Sequence, residues 1–147
     1  MKNSPYLKVK KLYPDAKIPI RVTLGSSGLD LFAYLANEME ITLESTPQLI
    51  STGIALQAPI GYDIQIRPRS GLASKGVGVV LGTIDSDYRG EIKVTMYMLN
   101  PNTRFPIKHG DRIAQLVISE LALLPLQETQ ELDSSERGTD GHGSTGR

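Results

Sequence analysis

The amino-acid sequence predicts an all-β domain, a sandwich or barrel of short strands. Three observations carry this. Apolar and polar residues alternate with period two in several stretches, which puts the two sets on opposite sheet faces. Gly, Pro, Asn and Asp clusters punctuate the intervals between these stretches. Stretches with helical period are scarce.

The elements follow in chain order. In YLKVK, Leu7 and Val9 alternate with lysines. Pro14-Asp15 and then Gly25-Ser26-Ser27-Gly28 read as turns, and SSGLDLFAY carries the chain on from Ser26 to Tyr34. Pro59-Ile60-Gly61 is a further turn signal. In YDIQIRP, Ile64 and Ile66 alternate with Asp63, Gln65 and Arg67. SGLASKG, Ser70 to Gly76, has room for a turn or two of helix with Ser70 as N-cap. In EIKVTMYML, Ile92, Val94, Met96 and Met98 alternate with Lys93, Thr95, Tyr97 and Leu99. Pro101-Asn102 and His109-Gly110-Asp111 are turns, and Arg112 to Ile118 is a strand. Pro68 and Pro106 read as strand or turn terminators. From Gln127 onward only Leu132 interrupts a polar run. The expected division is a β domain over 1–127 and an extended arm with a flexible tail over 128–147.

The chain of 147 residues suits one domain. Lys+Arg and Asp+Glu are equal at 16 each, which argues against a general nucleic-acid or membrane-surface binder. A small phosphorylated ligand remains possible, because a few arginines suffice to hold one. Cysteine is absent, so disulfides, thiolate metal sites and a cysteine nucleophile are excluded. The start has lysines but no apolar signal segment, and no apolar run approaches membrane-spanning length. A cytoplasmic protein is the expectation.

Five stretches carry candidate chemistry, each with a plainer reading beside it. Asp30 lies between Leu29 and Leu31. It is either a solvent-facing carboxylate or one aimed at a hard metal or its waters. In RPRSGLASK, Arg69 supplies a donor fork for phosphate, Ser70 a hydroxyl, and Gly71 close backbone approach; the segment is equally a helix start. In LGTIDSDYRGEIKV, Asp85 and Asp87 lie two apart, bracketed by Gly82 and Gly90 and followed by Tyr88. This is either a polar turn or a general base beside a ring able to pack on a sugar. In HGDRIAQLVI, Gln115 is the uncharged polar residue of an apolar run, satisfying a neighbouring strand or facing a ligand. His109 reads as a turn residue, and a metal site pairing it with His142 lacks ligand spacing. The last stretch, ERGTDGHGSTGR, is either a disordered end or a phosphate cradle. Arg137 offers a fork, Gly141, Gly143 and Gly146 a permissive backbone, Ser144 and Thr145 hydroxyls, and His142 a ring able to stack on a base.

Taken in this order, the stretches resemble the trimeric dUTP diphosphatases. The matching pieces are GLDL (28–31), PRSG (68–71), GTIDSDYRGEI (82–92), GDRIAQ (110–115) and RGTDGHGSTG (137–146), which together span nearly the whole chain. The resemblance implies a jelly-roll-like β-barrel or sandwich subunit assembled as a homotrimer. Its active sites would be shared between subunits, with a C-terminal arm crossing to a neighbour. It implies Mg²⁺-dependent splitting of dUTP into dUMP and diphosphate, limiting uracil incorporation into DNA and supplying dUMP for dTMP synthesis. By position, Asp85 resembles the base that activates water, and Tyr88 the residue that packs on deoxyribose. Arg69, Ser70, Gly71 and Gln115 resemble phosphate-side residues, and Asp30 the carboxylate that supports the metal region through water. Arg137 with His142, Gly143, Ser144 and Thr145 resembles the closing tail. Uracil would be read by main-chain groups of a hairpin spanning about Gly76 to Ile84, including Gly82 and Ile84.

Two departures from that pattern stand out. VGVVLGTID is shorter than the hairpin of many bacterial members and lacks their asparagine. Asp140 and His142 stand where Gly and Phe are usual. Among alternatives, a dCTP deaminase shares the fold but carries a different third motif. An inactive dUTPase-like regulatory protein would be expected to lose a motif residue such as Asp85.

Overall fold

The computed structural model describes residues 5–37 and 39–141. His142, Gly143, Ser144 and Thr145, all assigned above to the closing tail, lie outside the described residues.

Ten strands and one helical turn follow one another: β1 (Lys8–Lys11), β2 (Gly28–Phe32), β3 (Glu40–Leu43), β4 (Gln48–Gln57), β5 (Tyr62–Arg67), α1 (Ser70–Ala73), β6 (Val77–Val79), β7 (Gly82–Ile84), β8 (Glu91–Met98), β9 (Phe105–Lys108) and β10 (Arg112–Glu120). They form two four-stranded sheets, ordered β1-β4-β8-β6 and β2-β10-β5-β7, and a two-stranded pair, β3-β9. Every pairing among these strands is antiparallel. Strands adjacent in the sheets are mostly distant in sequence, as expected of the all-β, jelly-roll-like subunit read from the sequence.

The period-two reading of β8 is borne out residue by residue. Ile92, Val94, Met96 and Met98 are buried, while Lys93, Thr95 and Tyr97 are not. In β5, Ile64 and Ile66 point inward and Asp63, Gln65 and Arg67 outward. These inward sets join Leu31, Leu43, Ile50, Ile54, Ile107, Ile113 and Leu116 in one core. Each large aliphatic side chain buried there contributes about 1.5–3 kcal/mol relative to exposure. The turn signals at 14–15, 60–61, 101–102 and 109–110 all fall on turns.

Three local expectations are corrected. The segment from Gly76 to Ile84 is not a hairpin of mutually paired strands. β6 pairs with β8 in the first sheet and β7 with β5 in the second, so the chain changes sheets at the exposed Val80 and Leu81. Ser70 is not the helix N-cap. Arg69 occupies that position in an extended conformation (φ −91°, ψ 133°), without a side-chain cap. Pro106 lies inside β9 rather than ending a strand. It is tolerated because β9 pairs with β3 alone among the described strands and has an open edge for a residue lacking N–H. After β10, the described residues from 121 onward lie outside strands and are exposed, with Leu123, Leu124, Leu126 and Leu132 among them.

Candidate active site

The second sheet carries one group of candidate residues on its outer face and leads, through β7, to a second group. In the register, Asp30 of β2 faces Gln115 of β10, which faces Arg67 of β5. Ile66, next to Arg67, points into the core and pairs with Gly82 of β7. The row of polar residues therefore lies on the outer face.

On the outer face Asp30 binds two guanidinium groups. Arg69 Nε lies 3.2 Å from one carboxylate oxygen and Arg112 Nη1 3.2 Å from the other. Arg69 also donates from Nη1 to the Arg112 carbonyl at 2.9 Å. Its orientation is thus set by two independent bonds. Such charge-assisted forks are strong and directional. The Gln115 amide donates to the Pro68 carbonyl at 2.9 Å, tying β10 to the segment that presents Arg69. Ser70 and Gly71 follow on α1, both exposed. Arg112 was not singled out in the sequence reading. Its signal was a charged residue opening the apolar run of the fourth stretch.

Away from that row, a cleft of about 530 Å³ opens where β7 of the second sheet lies near β4 and β8 of the first. One wall is Ile66 with Gly82, Thr83 and Ile84, and the other is Leu49, Ile92 and Lys93. Asp85, Tyr88 and Glu91 complete its lining. Among the described strands β7 pairs with β5 alone, so its second edge presents unpaired backbone N–H and C=O groups. Beyond Ile84 the chain turns: Tyr88 N–H donates to the Asp85 carbonyl at 3.1 Å, the bond of a four-residue β-turn. The polar-turn reading and the functional reading of Asp85 are therefore compatible, because the turn is what carries the carboxylate to the cleft. Tyr88 is half exposed, and its hydroxyl donates to the Glu91 carbonyl at 3.1 Å. Glu91, not anticipated from the sequence, is fixed in turn: Oε1 accepts the Gly53 N–H at 3.0 Å, and Oε2 lies 3.8 Å from Lys93 Nζ.

The structure thus brings Gly82, Ile84, Asp85 and Tyr88 together, and separately Asp30, Arg69 and Gln115. Neither Asp30, Arg69, Ser70 nor Gln115 lines the cleft. Arg137 belongs to the exposed arm, where its Nε donates to the Asp140 backbone carbonyl at 2.9 Å. That bond leaves the Asp140 carboxylate out of the pairing.

His109 has a structural role in its turn. Its Nδ1 accepts the Leu35 N–H at 3.1 Å, and its ring meets Tyr34 edge-on. Tyr34 stacks on Tyr13 with ring centroids 4.4 Å apart. Burial, and then the hydrogen bond to Asp15, raise the Tyr34 phenol above its ordinary pKa. Among the described residues no three His, Asp or Glu side chains converge as a metal cage, and no helix is long and apolar enough to cross a membrane.

Comparisons with known proteins identify the family. The dUTPase family model matches residues 14–146. A deoxyuridine 5'-triphosphate nucleotidohydrolase of Hydrogenobaculum sp. is 48% identical over 143 residues, covering 95% of this chain and 97% of that relative. The protein of the same description from Wolinella succinogenes is 46% identical over 144 residues, covering 96% and 94%. Among solved structures, a variant of the Staphylococcus bacteriophage 80alpha dUTPase with dUpNHpp superposes with a TM-score of 0.88. It is 27% identical in sequence and covers 98% of this chain and 100% of that one. With a family match across nearly the whole sequence, and relatives close to half identical over more than nine-tenths of their length, the chain belongs to the dUTPase family.

Proposed function

We propose that the chain hydrolyses dUTP to dUMP and diphosphate, with Mg²⁺, in a homotrimer whose sites are shared between subunits. The observation that carries this reading is the inter-sheet cleft. It sets a carboxylate, Asp85, and an aromatic ring, Tyr88, beside the open edge of β7. Fixed N–H and C=O groups on that edge can match the pairing edge of a flat pyrimidine. Relatives named for deoxyuridine triphosphate hydrolysis, and the bound dUpNHpp of the phage enzyme, support the same substrate.

In the reaction, a water oxygen forms a bond to the α-phosphorus and the bond from that phosphorus to the α–β bridging oxygen breaks. Asp85 takes the proton of the attacking water. Negative charge develops on the departing diphosphate, and the Arg69 fork, held by Asp30 and the Arg112 carbonyl, is oriented to meet it. Ser70, Gly71 and Gln115 lie on the same phosphate side. Tyr88 packs on the deoxyribose and leaves no space for a 2′-hydroxyl. Arg137, His142, Gly143, Ser144 and Thr145 close over the phosphates from the arm.

Both Asp30 oxygens are engaged by guanidinium groups. This donor set fits an Mg²⁺ held mainly by substrate phosphates and water, with Asp30 acting through water, rather than an all-protein cage. Bound there, the ion would supply positive charge to the phosphate oxygens. Asp30, Arg69 and Gln115 lie away from the cleft that holds Asp85 and Tyr88, which supports a site assembled from different subunits. Limiting uracil in DNA and supplying dUMP for dTMP synthesis follow from the reaction.

The test is diphosphate release from dUTP, dCTP and dTTP in the presence of Mg²⁺. Release from dUTP alone is expected. Release from dCTP at a comparable rate, or none from dUTP, overturns the reading.

A further inference from the structure

We propose that Gly90 is a positioning residue for sugar selection, acting through the ring of Tyr88. The inference rests on the reading that Tyr88 packs on the deoxyribose. A Cβ built on Gly90 would lie 2.3 Å from the Tyr88 hydroxyl oxygen, 2.5 Å from Cζ and 2.9 Å from Cε2. Real side chains do not approach so closely, so the hydroxyl end of the phenol occupies the space beside the bare Gly90 backbone. The hydroxyl is then held by the Glu91 carbonyl at 3.1 Å, and Glu91 is anchored by its own carboxylate to the Gly53 N–H.

Backbone conformation does not account for this glycine. Gly53, Gly61, Gly76, Gly110 and Gly138 are the glycines with positive φ among the described residues, and Gly90 is not one of them. An L-residue can adopt its φ without strain. A first side-chain carbon at position 90 would require the end of the ring to shift, because the ring already fills that space. The glycine therefore sets the height and tilt of the ring that forms one wall of the cleft. A methyl group at 90 forces the ring toward the cleft or out of it. Displacements of about 1 Å at a reacting centre change rates by up to about 100-fold.

The experiment is a double-mutant cycle of Gly90→Ala and Tyr88→Ala, read as the ratio of kcat/KM for dUTP over UTP. Gly90→Ala alone is expected to lower this discrimination about 10–100-fold. With Tyr88→Ala already present, adding Gly90→Ala should change it less than about twofold. Unchanged selectivity in Gly90→Ala, or an equal effect with and without the ring, overturns the proposal. If Tyr88→Ala itself leaves selectivity intact, the sugar reading of Tyr88 fails and the proposal falls with it. Selectivity lost in Tyr88→Ala but kept in Gly90→Ala sinks the role of Gly90 alone. Should Gly90→Ala not fold, the double variant decides. A folded double variant shows that only the ring excludes a side chain at 90, and an unfolded one makes Gly90 a backbone requirement and overturns the proposal.

Discussion

The side chain of Gln115 occupies the space that a side chain on Gly28 would need. A Cβ at position 28 would lie 2.3 Å from Gln115 Oε1 and 3.0 Å from its Cβ and Cδ. The amide end can swing away, but the Gln115 Cβ is fixed by the β2–β10 ladder. Gly28→Ala should therefore displace the amide from the Pro68 carbonyl and lower stability by about 1–3 kcal/mol through overpacking. Urea unfolding of the variant measures this. In a Gln115→Ala background the space is vacated, so the Gly28→Ala penalty should shrink. An undiminished penalty there would place the conflict elsewhere.

Asp85 is carried to the cleft by the turn closed between its carbonyl and the Tyr88 N–H. The backbone makes that bond, so Asp85→Asn leaves the turn and the cleft shape unchanged while removing the proposed proton acceptor. Binding of a non-hydrolysable dUTP analogue should stay within a few-fold of the parent. Turnover should fall by about 10²–10⁴, the usual contribution of a positioned general base. Titration calorimetry and single-turnover kinetics separate the two quantities. Full turnover in the variant would remove Asp85 from the mechanism.

Asp30 steadies Arg69 and Arg112 at 3.2 Å each, with its side chain only 14% exposed. Asp30→Asn keeps the shape but removes the charge that both forks face. Each charge-assisted bond is worth about 1.5–3 kcal/mol, so affinity for dUTP should drop about 10–100-fold. The part of this loss carried by the arginines should persist at saturating Mg²⁺. Recovery of full affinity as Mg²⁺ is raised would assign Asp30 to the metal region alone.

Much of this architecture was legible because burial repeats along a strand. β5 and β8 expose and bury alternate residues, and their side chains fall where period two puts them. β4, the longest strand, was not recognised, for a physical reason. Its register against β8 shifts between Ser51 and Ala55, and Gly53 there has φ +68°. Thr52 to Leu56 are consequently buried in succession, and alternation disappears. The polar site followed the same rule. Asp85, Tyr88, Arg69 and Gln115 were visible as residue types in motifs, whereas Arg112 and Glu91 act through contacts across 82 residues to Asp30 and 38 residues to Gly53. No local pattern encodes pairings of that range. The change of sheet at Val80 and Leu81 was hidden for the same reason, since the partners of β6 and β7 are chosen by the whole fold.

The arm after β10 contributes no described strand pairing, and Arg137 hydrogen-bonds the backbone of its own turn through Asp140. Gly138 at φ +55° makes that turn, and no atom would meet a Cβ there, so the segment is shaped locally rather than by the core. Removing residues 137–147 should therefore leave the thermal unfolding midpoint within a few degrees of the parent. The exposed leucines at 121, 123, 124, 126 and 132 remain in the truncated chain, and with them the apolar surface available to a neighbouring subunit. Light scattering should report the same subunit number as for the parent. What is lost is the fork of Arg137 and the glycine-rich segment that would close over the phosphates. Excluding water and clamping the leaving group is a transition-state effect. Dissociation of the ground-state complex should thus change less than turnover, which is expected to fall about 100-fold or more. Normal turnover by the truncated protein would reduce the arm to an assembly element.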